Sequence, residues 1–269
     1  MLTVLLPVVL LAGALAGLLA GLLGVGGGVV IVPVLAYAYA SAAFPADAVM
    51  QFALATSLAS ISFTGLSSVR AHHRRGAVRW DLVRMLTIPL VLGALAGTQV
   101  ADALGSVWLM RLFGIFALLI GLQMLFARTA ADDPAVPEPA IPPVRSVLAG
   151  GVIGMASALF GIGGGSLTVP WLHAAGVRMQ RAVATSSACG VPIALAGTAG
   201  FVLAGLGRSD LPAGALGYVH LPSFIVLVVA SVPMATVGAR WAHRLPARAL
   251  RRIFALLLLI VGADFLLRG

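Results

Sequence analysis

The string GVGGGVVIVP, Gly24 to Pro33, occurs a second time as GIGGGSLTVP, Gly161 to Pro170, and both copies lie inside long apolar sequence. Six of the ten positions are identical, which makes coincidence a poor explanation. The match resumes further along, with MQFALATS from Met50 set against MQRAVATS from Met179. Later still, Gly97 and Phe113 match Gly238 and Phe254 at the same spacing of sixteen. The chain therefore reads as two copies of one unit. Glycine-broken hydrophobic segments at matching places in two halves are the sequence pattern of a substrate site between transporter repeats.

Composition sets the class. Of the 269 residues 61% are hydrophobic and 9% charged, and the mean hydropathy is +1.09. A soluble domain carries about 25% charged residues, so this is the composition of an integral membrane protein. The apolar stretches are long enough to cross about 30 Å of hydrocarbon as helices, and they lack the alternation of a barrel strand. The run Leu2 to Leu23 has no basic residue ahead of it and continues into more apolar sequence, so it is expected to be a membrane segment and not a cleaved leader.

The net charge of +9 comes from arginine alone, for there is no lysine. These arginines fall in short loops between spans, where the positive-inside rule accounts for them, so nucleic acid is not an expected partner. The single cysteine, Cys189, excludes an internal disulfide and a cysteine metal cluster, and it reads as a small apolar residue in a helix. Neither a metal nor a cofactor is expected.

Polar breaks delimit spans at 2–23, 48–69, 82–100, 108–127, 182–206, 216–239 and 249–267, with shorter pieces at 29–40, 146–160 and 166–175. The linker ADDPAVPEPAIPP, Ala131 to Pro143, divides the halves, because its prolines and acids cannot stay helical in lipid. The domains are then a first membrane repeat at 1–130, a cytoplasmic linker at 131–145 and a second membrane repeat at 146–269. Each repeat is a glycine-broken helical hairpin followed by three transmembrane helices.

Arginine placement relates the halves. In the first, the loop after the first full span carries Arg70, Arg74, Arg75, Arg79 and Arg84, while the next holds only Arg111. In the second, the corresponding loops hold only Arg208 and then Arg240, Arg244, Arg248, Arg251 and Arg252. If arginine-rich loops are cytoplasmic, equivalent spans run in opposite directions, which is an inverted-topology repeat. With Arg145, Arg178 and Arg181 also cytoplasmic, Ser146 to Ala175 enters and returns on one side, and Leu2 to Ala40 is its counterpart from the other face. The expected fold is an all-α integral membrane protein of two inverted repeats.

The hairpin tips are the candidate site. Glycine lets the chain turn through conformations that a side chain forbids, and it leaves N–H groups exposed where the next helix starts. With the positive end of the helix dipole, those groups suit an anion. The residues are Gly26, Gly27 and Gly28 in one copy and Gly163, Gly164 and Gly165 in the other; close helix packing is the competing use of such glycines. Pro33 and Pro170 are expected near the first turn of the short helices, where a missing N–H is tolerated. Thr56 and Ser57, matched by Thr185 and Ser186, lie two turns into a span and can donate to an oxyanion, although bonding back to their own helix is the ordinary fate of such hydroxyls. Gln51 and Gln180 are expected as interfacial caps. A dinucleotide fingerprint does not fit, since the sixth-position glycine is missing.

All eight acids, Asp47, Asp81, Asp102, Asp132, Asp133, Glu138, Asp210 and Asp264, map to loops or helix ends. Cation pathways place carboxylates along their course, so a small anionic substrate fits better. Protons as the coupling ion are left with His220 as the one intramembrane carrier, and a neutral histidine in a structural hydrogen bond accounts better for it. His72, His73, His173 and His243 belong to loops and helix ends.

Duplicated GxGGG hairpins ending in VP, each followed by ATS in the next span, resemble the TauE/SafE sulfite exporter family over nearly the whole chain. The resemblance implies secondary transport of a sulfur-containing anion, such as sulfite or a sulfonate, by alternating access across a bacterial inner membrane. It carries over to Gly24, Gly26, Gly27, Gly28, Thr56 and Ser57, and to Gly161, Gly163, Gly164, Gly165, Thr185 and Ser186. Which anion, in which direction and in what oligomeric state are left open. An anion channel built on the same hairpins is the alternative. An intramembrane hydrolase using Ser166 or Ser186 with His220 is the remote one, for no GxSxG is present and Val29 stands at the place of Ser166 in the other copy.

Overall fold

The structure, a computed structural model, describes residues 2–23, 27–42, 44–126, 141–241 and 247–268. Ten helices follow in order: α1 Leu2–Leu23, α2 Gly28–Ser41, α3 Val49–Arg74, α4 Trp80–Ala103, α5 Gly105–Phe126, α6 Pro143–Phe160, α7 Gly165–Ala174, α8 Met179–Gly205, α9 Leu221–Trp241 and α10 Ala247–Arg268. Five of them, α3, α4, α5, α6 and α8, are long and apolar enough to cross a membrane. The all-α integral membrane class is thus as expected.

The glycine punctuation acts where the backbone demands it. Gly27 (φ 72°) and Gly164 (φ 81°) hold matching left-handed positions immediately before α2 and α7, a region that a Cβ disfavours. Gly161 (φ 62°) ends α6 in the same conformation. Gly24 and Gly26 lie outside the described residues. Pro33 and Pro170 sit deeper than expected, each the sixth residue of its helix. There a proline removes a bond in the second turn, so Val29 and Ser166 lose the N–H that their carbonyls would accept.

Helix pairing follows from small residues. A methyl group on Gly17 of α1 would lie 2.2 Å from the Ser231 carbonyl oxygen of α9, and one on Gly154 of α6 would lie 2.2 Å from that of Leu90 on α4. Likewise Gly13 meets Leu227 and Ala230, and Gly150 meets Leu86 and Pro89. These backbones touch because nothing larger than hydrogen stands between them, which is how membrane helices gain dispersion contact when water expulsion is unavailable. In both pairs residue numbers rise together, so α1 runs parallel to α9 and α6 to α4. The two central helices run oppositely. Leu58 packs on Gly197, Val191 on Gly65, and Ser68 meets Ser187, so α3 and α8 are antiparallel. Gly114 against Gly262 and Gly121 against Leu259 make α5 and α10 antiparallel as well.

α3 is enclosed over most of its length, with its 49–62 stretch buried throughout. The outer helices turn apolar residues outward, among them Ile88, Leu92, Leu119, Val152, Val229 and Ile260, the surface that lipid would cover.

Two boundaries depart from expectation. α3 continues to Arg74, so Arg70 and Arg74 ride on the helix. Residues 216–220 are not helical: Ala215–Leu216 and Val219–His220 form a two-stranded antiparallel hairpin that leads into α9. The linker at 131–140 falls outside the described residues. Gln51 is no cap, for it is buried and donates from Nε2 to the Ala101 carbonyl at 3.3 Å, tying α3 to α4. Gln180, in the first turn of α8, is exposed.

Candidate functional site

The two glycine tips meet. A methyl group on Gly28 would lie 2.3 Å from the Gly161 oxygen and 2.9 Å from Ile162 Cα, and one on Gly161 would strike Val32 and Leu54. Ile61 of α3 closes over Gly163, and Ile193 of α8 over Gly164. The junction therefore sits where the middles of α3 and α8 pass each other. At these described residues the two tips are in van der Waals contact. A cleft of about 240 Å³ lies at the α4–α5 turn, lined by Asp47, Leu104 and Trp108 among others.

The four hydroxyls of the repeated ATS strings are all fully buried, and they divide by partner. Ser57 donates to the Gly161 carbonyl at 2.8 Å, so α3 of the first half holds the tip of the second. Thr56 accepts the backbone N–H of His220 at 3.1 Å, and Thr185 accepts that of Arg79 at 3.1 Å. Those two donors stand just ahead of α9 and α4, so each threonine ties the start of a helix from the opposite half. Ser186 Oγ has no hydrogen-bond partner.

Sequence reasoning passed over Ser157 and Thr168 and considered Ser166 only as a remote nucleophile. Ser157 on α6 and Ser166 and Thr168 on α7 are buried, and their oxygens have no partner either. Many other hydroxyls follow the ordinary rule, Ser60, Ser62, Thr64, Thr87, Thr98, Ser187 and Thr198 bonding back to carbonyls of their own helices, while Ser231 Oγ and Tyr39 OH, away from the second tip, are also buried without a partner. The signal was available in the repeat itself, since Ser166 and Thr168 stand where Val29 and Ile31 stand in the other copy.

His220 is buried, with Nδ1 2.8 Å from Ser223 Oγ and its ring edge-on to Tyr39 and Phe44. The ring partner of its Nδ1 is thus Ser223, and not the Ser166 or Ser186 that the hydrolase reading named. At the same end, Arg208 bridges Asp47 at 2.9 Å and Asp210 at 2.6 Å, pinning the loop before the β-hairpin to the start of α3. The Arg208 guanidinium holds the Asp210 carboxyl below the usual carboxylate range. Burial and a 2.7 Å bond to Asp102 push the Tyr218 hydroxyl up to about 12. Among the described residues, no three His, Cys, Asp or Glu side chains gather as a metal site.

Membrane-length helices joined by glycine-broken hairpins define a multi-pass membrane protein of the transporter class. The chain belongs to the sulfite exporter TauE/SafE family, whose model matches residues 9–265. It is 34% identical over 259 residues to a probable membrane transporter protein of Haemophilus influenzae, covering 96% of this chain and 97% of that one. A probable membrane transporter protein of Methanocaldococcus jannaschii is 28% identical over 264 residues, covering 98% and 96%. The probable membrane transporter protein YunE of Bacillus subtilis is 33% identical over 163 residues, covering 55% and 60%. No solved structure matches significantly.

Proposed function

We propose that this protein is a secondary transporter of the bacterial inner membrane that moves a small sulfur-containing anion by alternating access between two inverted repeats. The observation that carries the reading is the contact of Gly28 with Gly161 and Ile162, which brings two helix N-termini to one point between α3 and α8. Two positive dipole ends aimed at a common place favour an anion there. In this reading Gly26 to Gly28 and Gly163 to Gly165 offer N–H groups and Ser186 offers a hydroxyl, while Ser57 holds the Gly161 carbonyl and Thr56 and Thr185 hold the surrounding helices in place.

The inverted relation is supported by the antiparallel pairs α3 with α8 and α5 with α10, and by the matching glycine contacts of α1 on α9 and α6 on α4. It also gathers the arginines. The ends bearing Arg70 to Arg79, the start of α8 with Arg178 and Arg181, and the end of α9 share one face, whereas Arg208 and Arg111 lie at the other. A carrier is favoured over a channel because the tips are closed on one another, as an occluded carrier requires.

The test is ligand stabilisation. A ligand that binds only the folded state raises stability by mass action. Sulfite, thiosulfate or a small sulfonate should raise the melting temperature of the purified protein well above the effect of matched sodium or potassium chloride. Equal stabilisation by chloride salts, with none from any oxyanion, would remove the anion reading.

A further inference from the structure

We propose that the side-chain donors of the oxyanion site come from the second half of the chain alone, that they are neutral, and that the site takes a singly charged oxyanion head group, one per chain. The inference rests on the transport reading above and assigns its ligand a place and a charge.

The place follows from four hydroxyls without partners. Ser157 Oγ and Thr168 Oγ1 lie 3.6 and 3.4 Å from the position a Cβ would take on Gly164, so both point at the left-handed turn that opens α7. Both are completely buried. Leu167 and Thr168 already donate their N–H groups to the Gly164 carbonyl, so the N–H groups of Gly165 and Ser166 ahead of them have no acceptor inside the helix. Ser166 adds its own hydroxyl, 7% exposed. Ser186 stands one turn before Gly190, and a methyl group on Gly190 would touch the Gly163 oxygen at 2.5 Å, so Ser186 shares that helix face with the residue under the tip. A buried hydroxyl left without a partner is costly, and every one of the four could have bonded back to its own helix or been apolar. An oxyanion would satisfy all of them together.

The asymmetry follows from the repeat. Ser157, Ser166 and Thr168 correspond to Ala20, Val29 and Ile31 in the first copy. Val29 and Ile31 are buried among apolar side chains, and Ser57, the counterpart of Ser186, spends its proton on Gly161. The first tip therefore adds no free hydroxyl, and the second supplies them all.

The charge follows from what surrounds the cradle. The side chains closing on it, Ile61 and Ile193, are apolar, and the positive contribution comes from the N-terminal ends of two short helices, each equivalent to about half an elementary charge. The desolvation cost of an ion grows with the square of its charge, so a dianion without a counter-cation is disfavoured far more than a monoanion.

The experiment titrates purified full-length protein in detergent by calorimetry with methanesulfonate and with sulfate, which present similar oxygens at different charge. Methanesulfonate should bind with a stoichiometry of one, and sulfate at least about tenfold more weakly. Ser157→Ala, Ser166→Ala, Thr168→Val and Ser186→Ala should each weaken methanesulfonate about ten- to a hundredfold, as loss of a hydrogen bond to a charged group does. Thr198→Val and Ser62→Ala, whose hydroxyls bond back to their own helices, should bind as the parent does. The four variants are read separately, so one that fails to fold leaves the other three to decide. Parent-like affinity in the folded variants would overturn this inference while leaving the transport reading standing. Sulfate binding as tightly as methanesulfonate would overturn the charge assignment alone. Absence of binding by any oxyanion to the parent protein would overturn both this inference and the transport reading.

Discussion

Thr56 Oγ1 accepts the backbone N–H of His220 at 3.1 Å, across the boundary between the two halves of the chain. Thr185, its counterpart in the repeated ATS string, does the same for Arg79 at 3.1 Å. Each bond fixes the approach to a helix, α9 or α4, that packs on a glycine-lined partner from the other half. The threonines thus register the halves against each other, and the glycine tips depend on that register for their meeting.

Removing either acceptor leaves an N–H beside a fully buried position without its partner, a loss of about 1 to 3 kcal/mol. Thr56→Val and Thr185→Val should each lower stability by about that much, and the double variant by nearly the sum, since the two bonds share no partner. Thr198→Val, which only frees the Ala194 carbonyl of its own helix, should do much less. Heat or denaturant unfolding of the purified variants measures this.

The sequence carried the hairpins, the paired glycines and the membrane class, because a repeated string survives in residue identity. It carried the antiparallel central pair indirectly, through arginine counts. It did not carry the threonine role, since a hydroxyl two turns into a span reads the same whether it meets a ligand or a neighbouring backbone. Nor did it single out Ser157 and Thr168, or Ser166 as a ligand donor, for these are departures from the repeat, and attention to matching positions passes over them. The Ala215–His220 hairpin was hidden because a short run leading straight into an apolar helix cannot be told from that helix's first turn by periodicity.

At the opposite end from most of the arginines, Arg208 holds Asp47 and Asp210. Arg208 depresses the Asp210 pKa in the folded protein, so this pair contributes above the unfolded carboxylate pKa and is lost as pH falls through the folded value. Asp210→Asn should therefore lower the melting temperature slightly at neutral pH, less in high salt. The difference from the parent should vanish once the pH is below the carboxylate range. A difference that persists in acid would mean that the ion pair is not its origin.

The arrangement of the halves predicts sidedness. With buried Cys189 replaced by alanine, single cysteines at Arg75 and Arg248 should both be shielded in intact cells from an impermeant thiol reagent, while one at Gly207 should react. Labelling of Arg75 and Arg248 positions from opposite sides would break the inverted relation.

The central claim is that meeting glycine tips carry an anion through a closing and reopening site. Counterflow in reconstituted vesicles tests it most directly. Vesicles preloaded with unlabelled methanesulfonate or sulfite should accumulate the labelled anion transiently, because a carrier returns loaded faster than empty. Gly164→Leu, which sets a side chain at φ 81° and 2.5 Å from Ile193, should abolish that accumulation in protein that still inserts. Labelled anion that equilibrates without a transient overshoot, at a rate indifferent to the anion inside and unchanged by Gly164→Leu, would contradict the account.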